Sequence, residues 1–234
     1  SYQREVEKLN ILISNNVEGI LASVAIDSQC FDHFQQIIDM ELPIVFFDRV
    51  VKDTTADIVL LDDITASYKA AKHLVEKGRK RIAICTGNLN LLISRNRLQG
   101  YKTALSECGI PIDDHLIVVS DSPEETYLKV RELLVSPNPP DGIFAISDLT
   151  MNGVMKAILR SGLSVPEHIS VIGFCEEPFR SMYNPTLTAI EPMGFEIGKK
   201  AAEMLLERIS DSYNQLPPAR KIYLEGKLIE AGST

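Results

Sequence analysis

Five apolar runs in this chain end on residues able to bind a ligand or to react. "PIVFF" (43–47) leads to Asp48 and Arg49, and "RIAICTG" (81–87) leads through a short loop to Ser94, Arg95, Asn96 and Arg97. "LIVV" (116–119) leads to Ser120, Asp121 and Ser122, "GIFAI" (142–146) to Ser147 and Asp148, and "SVIGF" (170–174) to Cys175, Glu176 and Glu177. In open α/β sheets ligands bind beyond the carboxyl ends of the strands, which is where these residues would lie. Hydroxyls, carboxylates and guanidinium forks together suit a small polyhydroxylated ligand, because Arg and carboxylate groups each hold two neighbouring hydroxyls in fixed geometry.

Each candidate also has a purely structural explanation. Ser122 and Asp148 are good helix N-caps, and capping alone accounts for their types. Arg95 and Arg97 stand in a polar helix start where solvation is sufficient for at least one, and Asp48 can pair with Arg49. A nucleophile elbow at Cys175 needs a small residue two positions to either side. Gly173 satisfies this on one side, but Glu177 and Pro178 follow on the other, and two carboxylates nearby raise a thiol's pKa. A catalytic cysteine is therefore not expected, and no enzyme activity is assigned. His33, His73, His115 and His168 are scattered without metal-like spacing, and neither a GxGxxG nor a Walker sequence is present, so no metal or cofactor is expected.

These positions need a scaffold, and the runs that precede them supply one. Together with "GILASVA" (19–25) and "DIVLL" (57–61), they are apolar on both faces, as in strands of a parallel sheet covered by helices on each side. Between them lie helical patterns. "ITASYKAAKHLVEKG" (64–78) sets Ala70, Ala71, Leu74 and Val75 on one stripe and stops at Gly78. "SPEETYLKVRELLVS" (122–136) opens with a capping box formed by Ser122 and Glu125, with Pro123 in the first turn. The class is α/β. At 234 residues, the chain has room for one large domain or two lobes.

The alternation breaks twice. Only eight residues, "RVVKDTTA", separate "PIVFFD" from "DIVLL". That is too few for a crossover helix but enough to span about 26 Å when extended. The strand 57–61 is therefore expected at a sheet edge, where the chain leaves for another sheet. After "SVIGF" comes "CEEPFRSMYNPTLTAIEP", whose three prolines forbid a long helix, before a clear helix over 194–210. Two such departures predict two lobes that exchange segments, with a crevice between them. A further helix is read at 1–16, with no strand before it to begin its sheet.

Basic residues number 24 and acidic ones 32, giving a formal charge of −8, and no Lys/Arg stripe forms. The chain itself is not expected to grip nucleic acid. Four separated cysteines without a C-x-x-C fit a reducing cytoplasm, and no apolar stretch is long enough for a membrane span.

The residues already quoted carry a resemblance over the entire chain. "PIVFFDRV", "SYKAAKHLVEKGRKRIAICTG", "SRNRLQGYKTAL", "CGIPIDDHLIV", "DGIFAISDLTMNGVMKAILRSGLSVPEHISVIGF", "NPTLTAIEPMGFEIGKKAAEMLL" and "LIEAGST" follow the order and spacing of the LacI/GalR family of bacterial transcription regulators. The resemblance implies a type I periplasmic-binding-protein-like fold: two doubly wound parallel-sheet lobes joined by three crossover strands, with an effector in the cleft. Residues 1–62 with 192–220 would form an amino-terminal lobe lacking its first strand, helix and second strand. Residues 63–191 with 221–234 would form the carboxy-terminal lobe. The crossings would fall near Asp62 and Asp63, near Ile190 to Pro192, and near Lys221.

It further implies a sugar-type effector, a homodimer, and operator DNA bound by a helix-turn-helix outside this chain. The alternative is a periplasmic sugar-binding transport receptor of the same fold. Arg97 matches the family arginine that reaches the effector. Ser147 stands where the family often has asparagine, Asp148 matches the motif aspartate, and Asp48 and Arg49 match cleft-edge positions. Ser94 precedes the arginine in the same motif. Cys175 departs from the usual aspartate and Ser122 from a common aromatic, which puts an ordinary hexose in doubt.

Overall fold

The computed structural model describes residues 1–210 and 218–234. In chain order its elements are α1 (Tyr2–Ser14), β1 (Ile20–Ala22), α2 (Asp32–Asp39), β2 (Ile44–Phe47), β3 (Asp57–Leu61), α3 (Asp63–Glu76), β4 (Ile82–Thr86), α4 (Leu92–Glu107), β5 (Ile117–Val119), α5 (Pro123–Leu134), β6 (Gly142–Ala145), α6 (Asp148–Arg160), β7 (Ser170–Phe174), β8 (Thr188–Glu191), α7 (Gly194–Ser210), β9 (Lys221–Leu224) and β10 (Lys227–Ile229). They fall into two compact units. One holds Ser1–Leu61 with Met193–Leu224, the other Asp62–Pro192 with Glu225–Thr234.

The first unit carries a parallel sheet in the order β1-β2-β3-β9. Its core joins Leu9 of α1, Phe34 and Ile37 of α2, and Ile20, Ile44, Phe46, Ile58 and Leu60 of the strands. Strand β3 is not at the edge expected from the short link before it. It pairs with β2 on one side and with β9 on the other, because the chain returns after α7 to add a strand there. Lys221–Leu224 thus belongs to the first unit, and the last passage into the second unit follows Leu224 rather than occurring near Lys221. A buried charge cluster fixes α7 and β9 to the sheet. Asp57 on β3 accepts from Arg208 Nη2 at 2.7 Å and Nε at 2.9 Å, and from the Arg220 backbone N–H at 2.7 Å. Burial works to raise this carboxyl's pKa, but the hydrogen bonds from Arg208 and Arg220 outweigh it and hold the group below its ordinary value.

The second unit carries six strands in the order β10-β8-β7-β6-β4-β5, all parallel except β10. Strands β4, β6 and β7 are buried at every residue, as their two-sided apolar runs require. Successive side chains point to opposite faces. Ala83, Cys85, Ile143, Ala145 and Val171 pack with Val130, Met151, Val154 and Ile158 of α5 and α6. On the other face the Tyr101 hydroxyl of α4 donates to the Ile82 carbonyl at 2.7 Å, and α3 packs along α4. That packing is close at Gly100: a Cβ added there would stand 2.2 Å from the Ile64 carbonyl oxygen and 2.8 Å from the Tyr68 nitrogen.

Local signals start the helices. The Asp62 side chain accepts from the Thr65 backbone N–H at 3.1 Å and opens α3, which closes just before Gly78 at φ 85°. Ser122 opens α5 by accepting from the Glu125 N–H, while the Glu125 carboxylate accepts from the Asp121 N–H rather than from Ser122. At α6 the cap is Ser147, not Asp148: Ser147 and Thr150 form a reciprocal capping box, and Asp148 is the first helical residue.

A candidate effector site at the strand ends of the second unit

Arg97 is the centre of the site. One turn into α4 and 6% exposed, it lies beyond the carboxyl ends of the second unit's strands. Its Nε donates to Asp63 Oδ1 at 2.7 Å, and its Nη1 donates to the Ile146 carbonyl that ends the β6 run. The guanidinium carbon lies 3.5 Å from the centroid of the Phe174 ring, at the end of β7. Nη2 makes no hydrogen bond within the described residues, and it is not among the buried polar atoms lacking a partner. One buried cation is thus fixed by three elements, with Nη2 making none of these contacts.

The other candidates of this unit surround the same strand ends. Ser94, 2% exposed, lies one turn before Arg97 on α4 and close to Gly87. Ser147 and Ser122 both accept a backbone N–H as caps, and Ser147 Oγ also lies 3.2 Å from Thr150 Oγ1. Asp148 is exposed, and its pKa is raised, chiefly by loss of surrounding water and then by the Glu176 charge, with Arg97 opposing. Arg95 is an exposed side chain held by the loop: its Nη1 donates to the carbonyls of Leu89 and Asn90.

Cys175 is 2% exposed and packs within the core that includes Leu187 and Ala189. Burial first, then the Asp148 charge, pushes its pKa up to about 12, so it is a neutral thiol at pH 7. Glu177 turns away to bind Arg180 and Ser181.

Asp48 and Arg49 belong to the first unit. Asp48 follows β2 at φ 60°, a left-handed conformation that Asp tolerates better than most residues. Its carboxylate accepts from Arg49 Nη1 at 2.9 Å and from Ser23 Oγ at 3.3 Å, and Arg49 Nε donates to the Val24 carbonyl at 2.6 Å. This pair joins the ends of β1 and β2, whereas the other six candidates gather in the second unit.

Sequence reasoning did not assign roles to Asp63 or Phe174. Asp63 stood in a doublet read only as a crossing point, and Phe174 looked like the last apolar residue of a buried strand. Among the described residues no group of three or more His, Cys, Asp or Glu side chains could hold a metal ion, and no helix is long and apolar enough to cross a membrane.

The model of the periplasmic binding protein-like domain matches residues 71–234. The chain belongs to that family. It is 34% identical over 213 residues to the ribose operon repressor of Haemophilus influenzae, covering 89% of this chain and 62% of that protein. It is 32% identical over 221 residues to the HTH-type transcriptional repressor PurR of Actinobacillus pleuropneumoniae serotype 5b, covering 92% and 65%. A solved LacI family transcriptional regulator from Enterococcus faecium with bound ribose superposes with a TM-score of 0.83 at 26% identity, covering 98% of this chain and 84% of that one. The LacI-type resemblance read from the motifs and the periplasmic-binding-protein-like α/β fold are thus both found. These relatives are named as regulators, not as enzymes, and the chain spans less than two thirds of the two curated ones.

Proposed function

We propose that this chain is the effector-sensing and dimerising part of a LacI/GalR-type transcription regulator, and that it acts without catalysis in the cytoplasm. A small sugar-like ligand binds at the strand ends of the second unit, where Arg97 Nη2, the Ser147 hydroxyl and the Asp148 carboxylate meet it, with Ser94, Cys175 and Ser122 shaping the surroundings. Asp48 and Arg49, which belong to the first unit, are proposed as effector residues from the resemblance alone. Occupancy shifts the population of conformations and so changes how two copies present helix-turn-helix segments, lying outside these residues, to operator DNA.

The observation that carries this reading is Arg97: a guanidinium 6% exposed, clamped by Asp63, the Ile146 carbonyl and the Phe174 ring, with Nη2 unused. A buried cation placed so firmly at the ligand-binding end of an α/β sheet supports binding rather than solvation. The test is a thermal-shift screen of pentoses, hexoses, disaccharides and nucleobases on the whole protein, since a ligand bound only by the folded state stabilises it by RT ln(1 + [L]/Kd). Arg97→Ala is expected to abolish the shift given by any hit. Shifts that survive this substitution would place the ligand elsewhere.

A further inference from the structure

The charges around Arg97 restrict what it can hold. A guanidinium fork is ordinarily the group of choice for phosphate and carboxylate because it offers parallel N–H pairs to two oxygens. Here the edge containing Nε is already given to Asp63 at 2.7 Å, and the side chains of both partners are 8% exposed, so their charges offset each other where solvent screens little. An anion approaching Nη2 would meet the Asp63 charge as well as the cation.

Carboxylates outnumber guanidiniums around it. Asp148 and Glu176 are exposed at the same strand ends, and neither forms an ion pair among the described residues. Arg180 is committed to Glu177, while Arg95, exposed and held by two loop carbonyls, keeps its charge at the protein surface, where solvent screens it. The strand-end face therefore offers an N–H at Nη2 and the Ser147 hydroxyl, which it shares with Thr150 Oγ1 at 3.2 Å, beside two unpaired carboxylates as acceptors. A hydroxyl matches this set because it both accepts and donates, whereas a phosphate oxygen only accepts.

We propose that Asp63 sets the charge class of the effector: by neutralising Arg97 inside the protein, it selects an uncharged polyhydroxylated ligand and turns away phosphate esters and carboxylates. This rests on the effector-binding reading above and narrows its ligand. Asp63 is a specificity-determining residue that acts through Arg97.

The test pairs each neutral sugar with its phosphate ester, ribose with ribose 5-phosphate and glucose with glucose 6-phosphate among them, in thermal shift and calorimetry on the whole protein. At least one neutral sugar is expected to bind, with its ester weaker by at least about tenfold, because unfavourable charge juxtaposition costs several kcal/mol. Asp63→Asn keeps the side-chain volume and an acceptor for Arg97 Nε while removing the charge, and it should cut that discrimination about tenfold. Asp63→Glu, which keeps the charge, should preserve it. An ester binding as tightly as its parent sugar overturns the inference and leaves the effector reading standing. Discrimination unchanged in Asp63→Asn removes Asp63 as its cause. If no member of either class binds, the effector reading itself falls and this inference with it.

Discussion

Replacing Gly100 by Ala probes both packing and ligand binding, because Gly100 lies one turn from Arg97 on α4. The added methyl would stand 2.2 Å from the Ile64 carbonyl oxygen, 2.8 Å from the Tyr68 nitrogen and 2.9 Å from Ser67 Cβ. Two of the three obstacles are backbone atoms of α3, so no side-chain rotation relieves them, and the helices must separate by roughly 1 Å to reach ordinary contact. Overpacking of this kind costs about 1–3 kcal/mol, at the upper end where backbone has to move. Ala recovers about 1 kcal/mol of helix propensity over Gly, leaving a net loss of about 2 kcal/mol. For a chain of this size that corresponds to a fall in Tm of roughly 4–8 °C.

The same separation carries Arg97 away from Asp63, which sits at the start of α3, so the affinity of any Arg97-dependent ligand should fall as well. Thermal melts with and without a ligand from the screen measure both quantities. A Gly100→Ala protein as stable as the parent, or more stable, would refute the close backbone packing of α3 on α4 as the reason for glycine at this position.

Three other outcomes are expected. In a timed titration with a disulfide reagent under native conditions, exposed Cys30 and Cys108 should react quickly, while Cys85 and Cys175, both buried and pushed up to about 12, should react only on unfolding. Fast labelling of Cys175 would reopen the nucleophile reading. Asp57→Ala removes the carboxylate that Arg208 and Arg220 share in the first unit, and urea melts should show a loss of up to about 3–5 kcal/mol, reduced to the extent that Arg220 retains Glu207 and Arg208 the Pro218 carbonyl. His73 packs against Thr234, with Nε2 2.8 Å from Oγ1; burial lowers its pKa, with Lys77 acting in the same direction and Glu230 and Glu76 opposing. Its folded pKa lies below the unfolded one, so its contribution is complete above about pH 6.5 and is lost as pH falls toward the folded value. The drop in Tm between neutral pH and about pH 5.5 should accordingly be smaller in His73→Gln than in the parent.

Where local chemistry decides structure, the sequence was legible. Two-sided apolar runs marked the central strands of the second unit, and Ser122 with Pro123 and Gly78 marked helix ends that the structure reproduces. What escaped depends on contacts distant in the chain. Strand β3 looked like an edge because nothing local announces β9, which arrives over 150 residues later to pair with it. Helix α2 and strand β10 are short and carry no strong punctuation. Residue type alone points to Asp148 as a cap. The choice of Ser147 depends on the extended backbone at that residue, φ −161° and ψ 165°, which lets its Oγ reach the Thr150 N–H. In the site, Arg97 was legible as a motif residue, but its partner Asp63 lies 34 residues earlier and becomes visible only once α3 and α4 pack.

Under the proposed reading, Ser147 combines a fold-level role and a binding role in one atom. The resemblance read from the sequence implies an asparagine at the place of Ser147, and asparagine offers both an N–H and a carbonyl. The capping box uses the Ser147 oxygen as an acceptor from the Thr150 N–H, and Thr150 Oγ1 lies 3.2 Å from the same oxygen, so a ligand meets a hydroxyl that the helix start already engages. Cys175, neutral and buried where the resemblance implies a carboxylate, offers no strong acceptor on the same face. The acceptors that remain are Asp148 and Glu176, both anchored at strand or helix ends and both more exposed than the thiol. A ligand that fits should thus accept at Arg97 and Ser147 and donate outward to these two carboxylates. A shift of ligand preference in Cys175→Asp toward sugars with one more donating hydroxyl would follow directly, and unchanged preference would mean that the buried thiol plays no part in recognition.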